Sequence, residues 1–292
     1  MSIADIFVKK NRKIIYDAPG QTCNRLWSYI DTIGWAIRSN GQAIIWFWDK
    51  DLQHFDNLRN SRYVRFPFYS PRLIKFFGHK RYQKILHKLV ANSLIRPLYR
   101  RSTGRFVAGW DKRASAEHFP HVQELIRQIY RPNQHIIDHV SPIVESYRQK
   151  GYYIIGVHIR GGDYKWWFNG RYYFEPQEYK RQMQAVASLH SDKKVCFAIS
   201  TNERIDHTLF NGLEIMQIEN PTAIHDLYML SQCDKIIGPL STFSRWASFY
   251  GNVPLCFIDR DKEVTLDSFS VIKDFYHFEN GTEIINLTDL QK

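Results

Sequence analysis

The sequence predicts an α/β protein with mainly parallel sheets covered by helices on both faces. Two observations carry this. Strand-sized apolar runs alternate with segments whose apolar residues recur at helical spacing, most regularly between residues 151 and 259. Polar, glycine-containing loops follow several of these strands, and open parallel sheets bind ligands in such loops. With 292 residues, 44% hydrophobic and 15% aromatic, the chain can build two domains of roughly 150 residues each.

Residues 13–17 (KIIYD) read as a first strand, followed by the loop 18–24 (APGQTCN). From Arg25, the residues Leu26, Tyr29, Ile30, Ile33, Ala36 and Ile37 mark a helix that Asn40-Gly41 ends. Residues 42–48 are a second strand, completing a βαβ unit. Residues 49–78 have no clear period. Residues 79–95 form a basic amphipathic helix with Tyr82, Ile85, Leu86 and Leu89 on one side. A short strand is expected at 104–110 and helices at 115–130 and 134–149. Lys150-Gly151 closes the last helix, and the domain boundary is placed there. Strands then follow at 152–157, 194–200, 213–218, 234–238 and 253–259. They alternate with helices at 176–190 (Pro at its first position), 221–233 and 245–250.

The charge is local. Residues 57–110 hold 13 Lys and Arg and no acid, more than the net +11 of the whole chain, so the remainder is slightly negative. Such a surface seeks phosphate, anionic lipid head groups or acidic sugars. No apolar run approaches the ~20 residues of a membrane span. The opening MSIADIFVKKNRK does not read as a signal peptide. Cys23, Cys196, Cys233 and Cys256 show no C-x-x-C spacing, so reduced thiols and a cytoplasmic protein are expected. The nucleotide-binding patterns G-x-x-x-x-G-K-[ST] and G-x-G-x-x-G are absent, as are G-x-S-x-G and metal-ligand spacing of His and Cys.

Three expected strand-end loops carry chemistry. The stretch 152–164 (YYIIGVHIRGGDY) delivers His158 and Arg160 to a strand end, turns at Gly161-Gly162 and adds Asp163. An arginine can fork two donors onto a phosphate, and glycines let backbone N–H groups approach it. A simple Arg160–Asp163 pair would also suit these residues. The loop at 200–203 offers Ser200, Thr201, Asn202 and Glu203. The loop 239–244 sets Ser241, Thr242 and Ser244 before a helix, as plain caps or as an anion site.

GVHIRGGDY resembles the H-x-R-R-x-D motif of the GDP-fucose-dependent fucosyltransferases, the superfamily of the α-1,2-, α-1,6- and protein O-fucosyltransferases. The later block HDLYMLSQCDKIIGPLSTFSRWASFYG, the loop 18–24 with Asn24-Arg25-Leu26, and CFAISTNE are similar to three further blocks of that superfamily, in the same order. The resemblance covers about residues 13–259 and leaves 49–150 unmatched. It implies a GT-B-type fold with two Rossmann-like domains facing across a cleft: 1–150 on the acceptor side, with the basic insertion 57–110, and 151–292 binding the donor. It also implies an inverting transfer of L-fucose from GDP-L-fucose to a glycan hydroxyl, with no metal or other cofactor.

Carried over residue by residue, the resemblance puts Arg160 on the β-phosphate and His158 toward guanosine. Asp226 accepts from the guanine edge, Ser241, Thr242, Phe243 and Ser244 hold phosphates or base, and Asn24 reaches the diphosphate from the first domain. Asp163 is the candidate for positioning or base work, with Asp17 and Glu175 behind it. Trp166 and Trp167 suit stacking on an acceptor sugar. Two departures stand out. The second motif arginine is Gly161, so the enzyme is slower or another arginine such as Arg171 or Arg245 substitutes, and no acid directly follows Ser200. An α-1,2 linkage fits best and an α-1,6 linkage next. The acceptor is expected to be a glycan or lipid-linked glycan, with residues 57–110 docking on the cytoplasmic face of an anionic membrane. A non-catalytic GDP-sugar- or glycan-binding descendant is the rival reading. No nucleic-acid partner is expected, and a basic nucleic-acid-binding protein is the weakest alternative.

Overall fold

The computed structural model describes residues 11–17, 19–48, 50–90, 92, 106–113 and 117–284. The chain divides into two compact units, 1–133 and 134–292. The helix that precedes the expected boundary at 150/151 groups with the second unit. The reason is packing: the helix Gln134–Gln149 buries Ile136, Ile137, Val140 and Val144, against strand Tyr152–Ile159 and helix Ala223–Leu230 of the second unit.

The first unit holds a parallel sheet of β1 (Arg12–Ile15), β2 (Gln42–Ile45), β3 (Val64–Arg65) and β4 (Phe106–Val107), in the order β3-β2-β1-β4. The helix between β1 and β2 starts at Thr22, earlier than its apolar period suggests, so Asn24 lies in its first turn. The aperiodic stretch contains short helices at Asp56–Asn60 and Pro71–Phe77. The basic helix is His79–Val90, and of its expected apolar side only Tyr82 and Leu86 are buried. Residues 91 and 93–105 lie outside the described residues, among them Arg96, Arg100, Arg101 and Arg105 of the basic segment. In place of one helix over 115–130, the described residues show a 3-10 turn at Phe119–His121 and a helix at Gln123–Ile129. Pro120 lacks the N–H that a continuous helix would need.

The second unit is a five-stranded parallel sheet of β5 (Tyr152–Ile159), β6 (Lys194–Thr201), β7 (Ile215–Met216), β8 (Lys235–Gly238) and β9 (Leu255–Phe257). Its order is β7-β6-β5-β8-β9. Counted within the unit this is 3-2-1-4-5, the doubly wound arrangement whose direction of winding reverses between β5 and β8. Ile155, Val157, Phe197, Ile199 and Ile237 pack one side of the sheet with Met183 and Val186 of the helix Pro176–Leu189. All four cysteines are buried, and none forms a disulfide among the described residues. Among the described residues, no helix is long and apolar enough to cross a membrane. Met183 is fully buried, so Met183→Ala should lower the unfolding free energy by about 2–5 kcal/mol, read by urea denaturation.

Candidate functional site

Reversal of the winding opens the sheet edge at the carboxyl ends of β5 and β8, and β6 ends beside β5. These three strands bring most of the expected site residues together. His158 is the penultimate residue of β5, paired in register with Ser200 of β6. It is buried, its Nδ1 lies 3.4 Å from the Ser244 hydroxyl, and its ring packs 4.9 Å from that of Phe243. Burial, with the Arg160 charge nearby, pushes its pKa down to about 3. His158 is therefore a neutral imidazole at physiological pH.

Arg160 is held from several sides. Its backbone N–H donates to the Tyr179 hydroxyl (3.3 Å), and its Nη2 donates to Asp163 (2.8 Å). Its guanidinium lies 5.4 Å from the centre of the Tyr164 ring, and that ring's hydroxyl donates to the Leu240 carbonyl of the β8 loop (3.0 Å). Tyr164 thus ties the Arg160 turn to the turn after β8. Nε of Arg160 is buried without a partner among the described residues. The side chain of Asp163 is 63% exposed, so the pair sits at the mouth of the site.

The helix after β8 runs Thr242–Gly251, three residues earlier than expected. Ser241 caps it, accepting from the Phe243 N–H (3.2 Å). Thr242, Phe243 and Ser244 therefore occupy a helical first turn, where N–H groups and the helix dipole favour an anion. Ser244 is fully buried and faces His158, so it supports the site from inside. On the neighbouring strand, the Ser200 hydroxyl donates to Asp226 (3.1 Å), and both are buried. Burial pushes the Asp226 carboxyl up to about 7.

The place of the missing motif arginine is filled by an unexpected residue. A Cβ on Gly161 would run into the Glu203 carboxylate. Glu203 accepts from the Gly162 N–H (2.7 Å), and Asn202 accepts from the Gly161 N–H (2.9 Å). Gly162 has φ +59°, a conformation that favours glycine. The Glu203 carboxylate thus occupies the space that any side chain at position 161 would enter. The two arginines expected as substitutes have contacts of their own. Arg245 is 3% exposed and donates to the Phe275 carbonyl (2.8 Å). The guanidinium of Arg171 lies 5.7 Å from the Tyr172 ring.

Other candidates separate. Trp166 is 83% exposed, whereas Trp167 packs against Tyr164, Phe168 and Tyr172. Glu175 caps the helix Pro176–Leu189 in a reciprocal box with Glu178. Asp17, in the first unit, accepts from the N–H groups of Gly109 and Trp110 (2.8 Å each). Both reserve acids are thus engaged in holding helix starts. Asn24 is half-buried in the first unit. Among the described residues, no group of three or more His, Cys, Asp or Glu could hold a metal ion.

Sequence reasoning missed the tying roles of Tyr164 and Tyr179. Tyr164 was visible only as the residue after Gly-Asp, and Tyr179 only as one apolar position in a helix.

Two outcomes follow. Gly161→Arg should destabilise the protein by about 1–3 kcal/mol, because its side chain meets Glu203. Adding Glu203→Ala should recover much of that loss, a non-additivity visible in urea denaturation. The folded-state pKa of Asp226 lies above its ordinary 3.8. Its contribution to stability is therefore complete below that ordinary value and lost as pH rises through about 7. Asp226→Asn should flatten the stability–pH curve over that interval.

No family model matches the sequence, and no curated protein matches it. Solved structures share its fold. NodZ α-1,6-fucosyltransferase co-crystallised with GDP is 17% identical, with a TM-score of 0.55 over 86% of this chain and 96% of that one. Arabidopsis thaliana FUT1 in complex with GDP is 13% identical, with a TM-score of 0.52 over 94% of this chain and 78% of that one. POFUT1 in complex with GDP-fucose is 9% identical, with a TM-score of 0.52 over 87% of this chain and 99% of that one. The two parallel sheets are thus those of the GT-B-type fucosyltransferase fold.

Proposed function

We propose that the chain is a GDP-fucose-dependent fucosyltransferase, with the donor held on the unit 134–292. One observation carries this reading: an arginine, a helix first turn and a buried carboxylate meet at the carboxyl edge where the sheet's winding reverses. Such an edge is a nucleotide-binding position in doubly wound sheets. The fold shared with proteins crystallised with GDP and GDP-fucose supports the same donor.

In this reading Arg160 and the N-terminus of the helix Thr242–Gly251 face the diphosphate. They stabilise the charge that grows on the β-phosphate as the bond to fucose C1 breaks, with no resident metal or other cofactor. Preorganised charge of this kind contributes about 3–4 kcal/mol per donor in other enzymes. Asp226 accepts from the guanine edge, and neutral His158, backed by Ser244 and Phe243, lines the nucleoside. The first unit is the acceptor side in this reading, and Asn24, in the first turn of its helix Thr22–Arg38, is its candidate donor contact.

An acceptor hydroxyl attacks C1 on the face opposite the departing GDP, inverting the β-linked donor to an α-linked product. Asp163, paired with Arg160, aims the guanidinium. Its carboxylate is also the nearest candidate to take the hydroxyl proton. Exposed Trp166 is the platform on which an acceptor sugar stacks, and Trp167 packs into the loop beside Tyr164, Phe168 and Tyr172. The acceptor class is a glycan or lipid-linked glycan of a surface polysaccharide or glycolipid. Four buried cysteines, none in a disulfide among the described residues, suit a cytoplasmic location. The turns His-Ile-Arg and Ser-Thr-Phe-Ser favour an α-1,2 linkage. An α-1,6 linkage is the second reading, favoured by the likeness to NodZ α-1,6-fucosyltransferase.

Calorimetric titration with GDP, UDP and ADP tests the donor. GDP should bind selectively. Arg160→Ala should weaken it at least about 100-fold, using about 3 kcal/mol for a lost charged contact. Binding indifferent to the base, or untouched by Arg160→Ala, contradicts the reading. Guanine donates to ionised Asp226, so GDP affinity should fall as pH drops below about 7. GDP binding near neutral pH should then release protons, visible as a buffer-dependent heat. Selective binding with no fucosyl transfer to any glycan would point to a non-catalytic descendant.

Trp166→Ala should raise KM for the acceptor about tenfold and leave GDP affinity unchanged. An unchanged acceptor KM removes Trp166 from the acceptor site.

A further inference from the structure

We propose that the helices Pro71–Phe77 and His79–Val90 form a docking face for an anionic lipid surface. The inference is independent of the donor reading, since it concerns a surface of the first unit. The two helices are joined at Gly78, whose φ of +74° allows the sharp turn. Ile74, Tyr82 and Leu86 seat the pair on the sheet with Ile14, Ile44 and Trp46. The Tyr82 hydroxyl fixes the seat by donating to the Phe68 carbonyl (2.6 Å).

Five further apolar side chains of the two helices are exposed. Phe76 is 81% exposed, Leu89 55%, Leu73 44% and Ile85 39%, with Phe77 beside them. Phe76 and Phe77 meet edge to face, their ring centres 4.8 Å apart. Of the large hydrophobic residues exposed in the described chain, only Trp166 and Leu266 lie elsewhere. Single exposed apolar residues need no explanation, but a cluster on one helical hairpin does.

The charge around the cluster selects its partner. Arg72, Lys75, Arg81, Lys84 and Lys88 are exposed on the same two helices, and no acid occurs anywhere in 57–110. Along the second helix, Ile85 and Leu89 sit one turn apart, flanking the ridge of Arg81, Lys84 and Lys88. Apolar side chains that enter a bilayer interface beside lysines that reach its phosphates are the pattern of an interfacial helix. Leu73, Ile85 and Leu89 offer nothing to the phosphates of a nucleic acid, which favours the lipid surface. Docking there would hold the enzyme at the surface where a lipid-linked acceptor lies.

The test is flotation of the full chain with phosphatidylcholine vesicles, with and without phosphatidylglycerol. Lys84→Glu with Lys88→Glu and Phe76→Ser with Phe77→Ser serve as variants. The wild type should float with the anionic vesicles only. The charge variant should lose at least about 25-fold in partitioning, at roughly fivefold per basic residue removed. The phenylalanine variant should lose at least about tenfold, and both should keep the wild-type unfolding midpoint. Unchanged flotation of both variants overturns the proposal. So does a wild type that ignores anionic vesicles, whether it binds a polynucleotide instead or loses stability in the phenylalanine variant. The last result would mean that the rings pack against protein.

Discussion

The site depends on keeping one guanidinium in place at the end of a buried strand. Arg160 is the first residue past β5, and its surroundings fix it before any ligand arrives. Tyr179 takes the backbone N–H, Asp163 takes one end of the side chain, and Tyr164 lies beneath the charge. Tyr164 also reaches the carbonyl of Leu240, so the same ring that supports the arginine secures the turn before the helix Thr242–Gly251. A cation and a helix N-terminus are thereby preorganised together, which spares the reorganisation that an unconstrained pair would need on binding an anion.

The second constraint is electrostatic. Gly161 lacks the side chain that the family pattern would put beside Arg160, and Glu203 occupies the space with opposite charge. Glu203 and Asn202 clamp the two glycines by their N–H groups, so the turn is held from the β6 side. A carboxylate beside the Gly161-Gly162 turn lowers the positive potential around Arg160. The neutral state of His158 adds no charge there.

Much of this was legible in the sequence because it rests on local signals. Apolar run lengths marked β5, β6 and β8, and the four motif blocks placed His158, Arg160, Asp226 and Ser241–Ser244 on one unit. Helix starts were less legible. Asn24 and Thr242–Ser244 read as loop because polar residues of a helical first turn carry no apolar period. Lys150-Gly151 ends a helix without ending a compact unit, a difference that apolar periodicity does not mark. Glu203 at Gly161 was hidden because the two residues are 42 positions apart and meet only through the pairing of β5 with β6. The separation of Trp166 from Trp167 depends on three-dimensional packing, to which adjacent identical residues give no clue.

The most direct test of the donor site is a crystal structure of the protein with GDP-fucose. The account predicts the β-phosphate on Arg160 and the N-terminus of the helix Thr242–Gly251, with the guanine edge on Asp226. A nucleotide bound elsewhere, or one whose diphosphate lies away from Arg160, would contradict it.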